Sequence, residues 1–337
     1  MSHSTAQVFH VRQPQVGRTL ANALREWLPG RSWSAVQKLL RTRHVQVNGN
    51  LCLDAGRRLK LAEVVRVLPQ SAAPVPRSDD VRVRYLDEHV IVVEKPAGMT
   101  SIRHIEERNW PARRKQLQPT LDESLPQTIA RLEARGKKPR RGIPPPVRAV
   151  HRIDRDTSGL MIFARTVKAE RALGEQFRRH TIHRRYLAIV AGEPAAQTIE
   201  SRLVRDRGDG RRGSSTEDVP GKRAVTHVRP VEQFHGYALV ECRLETGRTH
   251  QIRIHLSELG HPLCGDKVYR QPLRGRPMPD RSGAPRLSLH AAELAFIHPA
   301  SGEKLSFEMP LPADMQKLLD RLRADRDKSN SGEAQRG

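Results

Sequence analysis

The sequence predicts an α+β chain in two parts: a mixed, mostly antiparallel sheet with flanking helices, preceded by a small α+β unit. Three observations predict this. Hairpin signals outnumber strand–helix–strand crossovers, which favours antiparallel pairing. Two short amphipathic helices near the start run into Val45-Gln46-Val47-Asn48-Gly49, a strong hairpin signal. Between the parts, 69–80 (PQSAAPVPRSDD) holds proline and small residues without periodicity, so it reads as a linker that proline keeps stiff. With 337 residues, one large and one small domain can each bury a core.

In the first unit, 17–68, Thr19 can cap a helix with Leu20, Leu24, Trp27 and Leu28 on one face. Pro29-Gly30 ends it. A second helix starts at Ser32 or Ser34 and buries Val36, Leu39 and Leu40, while Lys38, Arg41 and Arg43 point elsewhere as a cationic face. A last strand is expected from Leu59, Leu61, Val65 and Val67.

The second unit, 81–315, opens with a strand on Val81, Val83 and Tyr85, a turn at Asp87-Glu88, and the apolar strand 90–93 leading into Lys95-Pro96-Ala97-Gly98. The interval 101–147 is basic, with one expected helix from Leu125 to Ala134 capped by Ser124. Its other cations, including 137–141, suit an added contact or a solvated loop, and Pro144-Pro145-Pro146 must be extended. A helix over 167–178 with Val167, Leu173 and Phe177 inward precedes a strand at 183–190. The stretch 202–222 reads as a mobile hairpin loop, with strands after it at 221–226 and 238–244. A helix over 249–259 places Gln251 near His255 and Arg253 a turn from Thr249. From about Asp325 the tail is polar, and 325–337 is expected to be disordered.

Composition narrows the partners. Lys and Arg total 60 against 37 Asp and Glu, a formal charge of +23, spread along the whole chain. A polyanion is the expected partner, nucleic acid before an acidic membrane, since no basic amphipathic helix or lipidation signal appears. The run 90–93 is far too short to span a bilayer, and residues 1–18 show no secretory signal. Cys52, Cys242 and Cys264 are odd in number and scattered, which fits a reducing cytoplasm better than disulfides or structural zinc.

The chemistry concentrates in 147–165, VRAVHRIDRDTSGLMIFAR. An apolar run after a Thr-Ser-Gly turn reads as a buried strand that holds the preceding polar loop at the lip of a core. Within the loop, Asp154 lies near Arg152 and Arg155, and a neighbouring guanidinium favours an ionised carboxylate fit to act as nucleophile or base. A solvated turn with surface ion pairs is the alternative.

The residues His151-Arg152-Ile153-Asp154 with Thr157-Ser158-Gly159 resemble the HRLDxxTSG signature of the RluA-type pseudouridine synthases, isoleucine standing for the usual leucine. Further stretches continue the resemblance in order from about 82 to 315. They are the KPAG segment, the strand Tyr186-Leu187-Ala188, the motif Thr246-Gly247-Arg248-Thr249-His250-Gln251-Ile252-Arg253 with His255, and Gly265-Asp266 with Tyr269. The family's fold is a mixed, mostly antiparallel sheet with the cleft across it. The resemblance implies isomerisation of uridine in RNA, with Asp154 as the catalytic aspartate, Tyr186 as the active-site tyrosine and Arg253 as the arginine paired with Asp154. Arg248 is a second candidate partner or phosphate contact, and Lys95 a phosphate contact or the partner of an acidic neighbour. Arg152 would fill the gap left by the extruded uridine. The first unit resembles the alpha-L RNA-binding module, which assigns Lys38, Arg41 and Arg43 to RNA and points to large-subunit ribosomal RNA above tRNA. The family's Gly-Asp turn before the last strand of that module is replaced by Ala62-Glu63.

The isomerisation breaks the N1–C1′ bond, turns the base and joins C5 to C1′. It consumes no water and changes no oxidation state, so no cofactor, metal or nucleotide is expected. The expected protein is a cytoplasmic monomer acting on RNA, without membrane contact. A metal set of His250, His255, Cys264 and Asp266 mixes hard and soft ligands at spacings that fit no common site. Two rivals remain: a non-catalytic RNA-binding ribosome-assembly protein, and a metal-dependent RNA hydrolase.

Overall fold

The computed structural model of the chain describes residues 6–47, 50–61, 63–72, 76–134, 146–207, 211–215 and 220–334. Two compact units emerge: Met1–Val75 with Ile105–Pro119, and Pro76–His104 with Thr120–Gly337.

The first unit contains β1 (Gln7–His10), α1 (Leu20–Trp27), α2 (Trp33–Arg41), β2 (Val45–Val47), β3 (Asn50–Leu51), β4 (Val64–Val67) and α3 (Ala112–Leu117). Thr19 and Ser32 cap the two long helices, their hydroxyls accepting from the amides of Asn22 and Ala35. Leu20, Leu24, Val36 and Leu40 pack with Val45, Val47, Leu59 and Val65 in its core. The sheet runs β1-β4-β2-β3, antiparallel throughout.

Several expectations need correction here. The unit starts before Gly17, because β1 pairs with β4 along its whole length. The last strand is shorter than read: Leu59 packs in the core outside it and Leu61 is 60% exposed. Residues 105–119 of the basic interval cluster with this unit and not with the second. The Asn48-Gly49 turn and Ala62 lie outside the described residues, as do 73–75 of the linker.

In the second unit, β5 (Arg82–Leu86), β6 (Val90–Lys95), α4 (Leu121–Glu133), β7 (Arg148–Ala149), β8 (Ser158–Ala164) and α5 (Val167–Arg178) come first. There follow β9 (His183–Ala191), β10 (Gln197–Val204), β11 (Gly213–Ser214), β12 (Lys222–Phe234), β13 (Tyr237–Leu244), α6 (Gln251–Glu258), β14 (Leu289–Ile297), β15 (Lys304–Glu308) and α7 (Ala313–Ala334). The sheet order is β11-β10-β12-β13-β9-β14-β8-β6-β5, with β15 on β14 and β7 on β8. Among the described strands only β14 and β8 pair in parallel, so the sheet is mixed and mostly antiparallel as expected. Strand β6 explains why its apolar run does not alternate. Ile91 and Val93 enter one core with Met161 and Phe163, while Val90 and Val92 enter another with Leu160 and Ile162.

The helices depart from expectation at their ends. Helix α4 begins a turn earlier than read, at Leu121, because Leu121, Leu125 and Ile129 share a buried face; Pro126 therefore sits inside it. Val167, expected inward on α5, is 45% exposed, and Ala169 with Leu173 makes the buried face. The expected disordered tail is helical through Ala334. Met315, Leu318, Leu319 and Leu322 bury one stripe of α7, and Arg323 and Arg326 continue it by pairing with Glu232. Residues 135–145, 208–210, 216–219 and 335–337 lie outside the described residues, which removes 137–141, Pro144-Pro145 and seven residues of the expected loop 202–222 from view; of the rest of that loop, 202–204, 213–214 and 222 lie in strands β10, β11 and β12. No helix among the described residues is long and apolar enough to cross a membrane.

Candidate active site

The polar loop before β8 is mounted from both ends. Behind it, Ser101 donates its hydroxyl to the Ile153 carbonyl at 2.7 Å. Ahead of it, Gly159 has φ +126°, and a Cβ there would lie 2.3 Å from the Ala291 carbonyl oxygen, so only glycine lets β8 run this close to β14. His151 faces inward: its Nε2 accepts from the Ile162 amide at 3.0 Å and its ring stacks on Phe177. Burial pushes this imidazole down to about 3, so it is neutral and structural.

Asp154 stands at the mouth of the loop. Its Oδ2 is 3.5 Å from Nη1 of Arg253 and its Oδ1 is 3.8 Å from Nε2 of His250. Arg253 rises from α6, donates through Nε and Nη2 to Asp266 at 2.7 and 3.0 Å, and lies over the Tyr269 ring. Burial alone would favour a neutral guanidinium, but the combined pull of Asp266 and Asp154 outweighs it and raises the pKa. Asp266 is held low in the same way: burial opposes its charge, and Arg253 with the amides of Val268 and Tyr269 overcomes it.

Helix α6 starts two residues later than expected because His250 adopts the left-handed conformation, φ 61°. That turn aims its imidazole at Asp154 on one side and at the Tyr269 hydroxyl, 2.8 Å from Nδ1, on the other. Burial lowers the His250 pKa, against the pull of Asp154.

Tyr186 lies on β9 opposite Cys242 of β13 and Ala291 of β14. It is 6% exposed, and burial raises its pKa, which keeps the phenol protonated. Asp154, Tyr186 and Arg253 all line one cleft of about 580 Å³, together with Arg152, Arg184, Arg248, His250 and Leu289.

The other sequence candidates fall in different places. Arg152 is exposed at the cleft and has no hydrogen-bond or ion-pair partner among the described residues. Arg248 is also exposed there, with Nε donating to the Arg223 carbonyl. Arg155, expected beside Asp154, instead donates to the Gly98 carbonyl and approaches Asp156, so the guanidinium facing Asp154 is that of Arg253.

Lys95 is a correction. It is fully buried, and its ammonium donates to the carbonyls of Pro96, Met99 and Arg155, each at 2.8 Å. It is thus unavailable to a phosphate. Burial pushes it down to about 7, with Asp156 and Asp154 pulling the other way. Its three carbonyl acceptors also favour the charged form. On α2, Lys38 and Arg41 are exposed; Arg43 lies beyond the helix with φ 63°, its Nε directed to the Ala72 carbonyl.

The residues weighed for metal are engaged elsewhere. Asp266 holds Arg253, and the two nitrogens of His255 face the hydroxyls of Thr226 and Ser201. Among the described residues no three His, Cys, Asp or Glu side chains converge as a metal set. All three cysteines are buried thiols. Sequence reasoning missed Ser101, His250 and Arg184. Ser101 braces the loop from 52 positions away in the chain, His250 stood in a quoted motif and a metal reading without the left-handed turn that aims it at Asp154, and Arg184 was visible only as one arginine of a strand.

Residues 89–258 match the RNA pseudouridylate synthase family. The protein named ribosomal large subunit pseudouridine synthase D from Zymomonas mobilis is 39% identical over 279 residues, covering 81% of this chain and 84% of its own. The protein of the same name from Xanthomonas campestris is 35% identical over 318 residues, covering 92% and 90%. Among solved structures, human RNA pseudouridylate synthase domain containing 4 superposes with a TM-score of 0.55 at 24% identity, covering 72% of this chain and 92% of that one, a likeness of fold.

Proposed function

The chain belongs to the RNA pseudouridine synthase family, which isomerises uridines in RNA, and from that premise we propose that it modifies large-subunit ribosomal RNA, with Asp154, Tyr186 and Arg253 as its reacting set. One observation carries the assignment of residues: Arg253 links the Asp154 carboxylate to the buried Asp266 inside a cleft that Tyr186 also lines. The guanidinium beside Asp154 points the carboxylate into the cleft, placed to attack the base or sugar or to take a sugar proton. The uridine is extruded into the cleft, where Tyr186 offers a ring to stack on and a phenol near C5. Glycosidic cleavage at N1, rotation of the base and bonding of C5 to C1′ then leave one proton to lose from C5 and one to place on N1. The atoms balance without water or oxidant.

Arg152, exposed at the rim and unpaired among the described residues, occupies the place the uridine leaves, and Arg248 holds a phosphate. In the first unit, Lys38 and Arg41 give α2 a cationic side that suits an RNA backbone, and Arg43, just past the end of the helix with its Nε on the Ala72 carbonyl, adds its charge beside them. The ribosomal target follows from the names of the relatives, and a monomer working in the cytoplasm, without metal or other cofactor, completes the reading. The test is to incubate the protein with large-subunit ribosomal RNA and, separately, tRNA, and to map pseudouridine chemically. Product in the ribosomal RNA, and none with Asp154→Asn, is expected. Product in tRNA alone would overturn the target, and equal product from the variant would remove Asp154 from the reaction.

A further inference from the structure

Two adjacent arginines on β9 have opposite surroundings. Arg185 faces away from the cleft and is surrounded by carboxylates, with Glu293 at 2.5 Å, Glu308 at 3.3 Å and Glu241 at 3.8 Å. Arg184 lines the cleft and has no carboxylate within ion-pair distance among the described residues. Its guanidinium lies 5.5 Å from the centre of the Phe177 ring, and its Nη2 reaches the Leu244 carbonyl only at 3.5 Å. Its Nε is buried with no acceptor at all. Nη1 sits 3.0 Å from where a Cβ on Gly247 would stand, so the absence of a side chain there makes room for the guanidinium.

A half-buried arginine with five donors and one long hydrogen bond is under-satisfied. Stacking on Phe177 holds the group in place but provides no anion. Its spare donors belong to the wall that also carries Tyr186. The two residues are two apart on one strand and therefore share a face, about 6.7 Å apart along it. That is the span of a single nucleoside: a base resting on Tyr186 brings its own phosphodiester towards Arg184. The planar guanidinium fork suits two phosphate oxygens better than any neutral acceptor in the cleft.

We propose that Arg184 binds the phosphodiester flanking the extruded uridine and so fixes where along the strand the nucleotide is lifted out. This rests on the reading of the cleft as the uridine site. Arg152 and Arg248 sit exposed at the rim; Arg184 is the half-buried cation, set beside the nucleotide that reacts.

The probe is a synthetic stem-loop containing the uridine that the wild-type protein modifies, made with either a phosphate or an uncharged methylphosphonate next to that uridine. Binding is followed against salt in the Asp154→Asn background, so that no turnover intervenes. Arg184→Gln is expected to weaken binding about tenfold and to flatten the log–log salt slope by about 0.7, one phosphate contact on a single strand. Arg184→Lys should restore the slope. The methylphosphonate should weaken binding to the Arg184 protein by a similar factor and leave the Arg184→Gln protein almost unaffected. Additive losses from substitution and methylphosphonate, or an unchanged slope with Arg184→Gln, would overturn the proposal. If Arg184→Gln unfolds, Arg184→Ala and Arg184→Lys are compared with both RNAs instead; a methylphosphonate that costs the Arg184 protein nothing, or costs it and Arg184→Ala equally, would overturn the proposal. Turnover by the wild-type protein on the same RNA separately reports the function itself: no product there would sink the uridine reading, whatever the salt slopes show.

Discussion

Arg253 is seated by Asp266 and only then offered to Asp154: the buried carboxylate takes Nε at 2.7 Å and Nη2 at 3.0 Å, while Nη1 reaches Asp154 at 3.5 Å. Asp266 thus orients the cation without itself reaching the cleft. Asp266→Asn keeps the volume but removes the charge that fixes the fork. Turnover is expected to fall about 100-fold, in line with the cost of small misplacements, with RNA affinity changed by no more than a few-fold. Single-turnover kinetics alongside filter binding would check this, and an equal loss in both would contradict it.

Tyr186 offers a ring and a hydroxyl, and two substitutions separate them. Tyr186→Phe keeps the stacking surface, so affinity should hold while the rate drops by about 100-fold or more. Tyr186→Ala should lose affinity as well, by about tenfold, since base stacking is worth about 1–3 kcal/mol. A Tyr186→Phe protein as fast as wild type would show that the hydroxyl takes no part.

Lys95 predicts a loss of stability and not of RNA binding. Lys95→Met removes three hydrogen bonds from buried carbonyls and should lower unfolding free energy by about 3 kcal/mol or more. The slope of binding against salt should stay as it is, because no phosphate contact disappears. Urea unfolding and salt titration measure the two quantities; a flatter salt slope would return Lys95 to the RNA surface.

Acid sensitivity follows from buried histidines. Burial pushes His255 and His290 down to about 4 and His151 to about 3, against about 6.5 in the unfolded chain. Below pH 6.5 the unfolded chain takes up protons that the folded one refuses. The histidines' contribution to stability is therefore full above about 6.5 and falls as pH drops towards 4, by up to about 1.4 kcal/mol per pH unit for each histidine. Thermal unfolding between pH 7 and 5 should show it. His255→Gln, which can still bond Thr226 and Ser201, should give a shallower decline.

The sheet and the meeting of Asp154, Tyr186 and Arg253 in one cleft were legible because each residue lies within a distinctive run, and because apolar runs mark the strands that carry them. Lys95 was misread because a strand-end lysine ordinarily faces water; one of its acceptors comes from Arg155, 60 positions on in the chain. The start of α4 was missed because a Ser-Leu-Pro sequence looks like a helix start, while the burial of Leu121 that extends the helix is a tertiary fact. The tail was misjudged on polarity alone. Four apolar positions at helical spacing order the first half of α7, ahead of the expected tail, and ion pairs to Glu232 carry the helix past Arg323.

Strand β14 joins β8 through two rungs, His290 to Ser158 and Ala291 to Gly159, and then shifts register before it continues along β9 and β15. Asp154 hangs from the β8 side of this seam and Tyr186 belongs to the β9 side. The gap between acid and phenol is therefore gauged by a joint two residues long. Drift in the outer strands would leave that gap untouched, whereas a single bulky side chain at position 159 would pry the two groups apart.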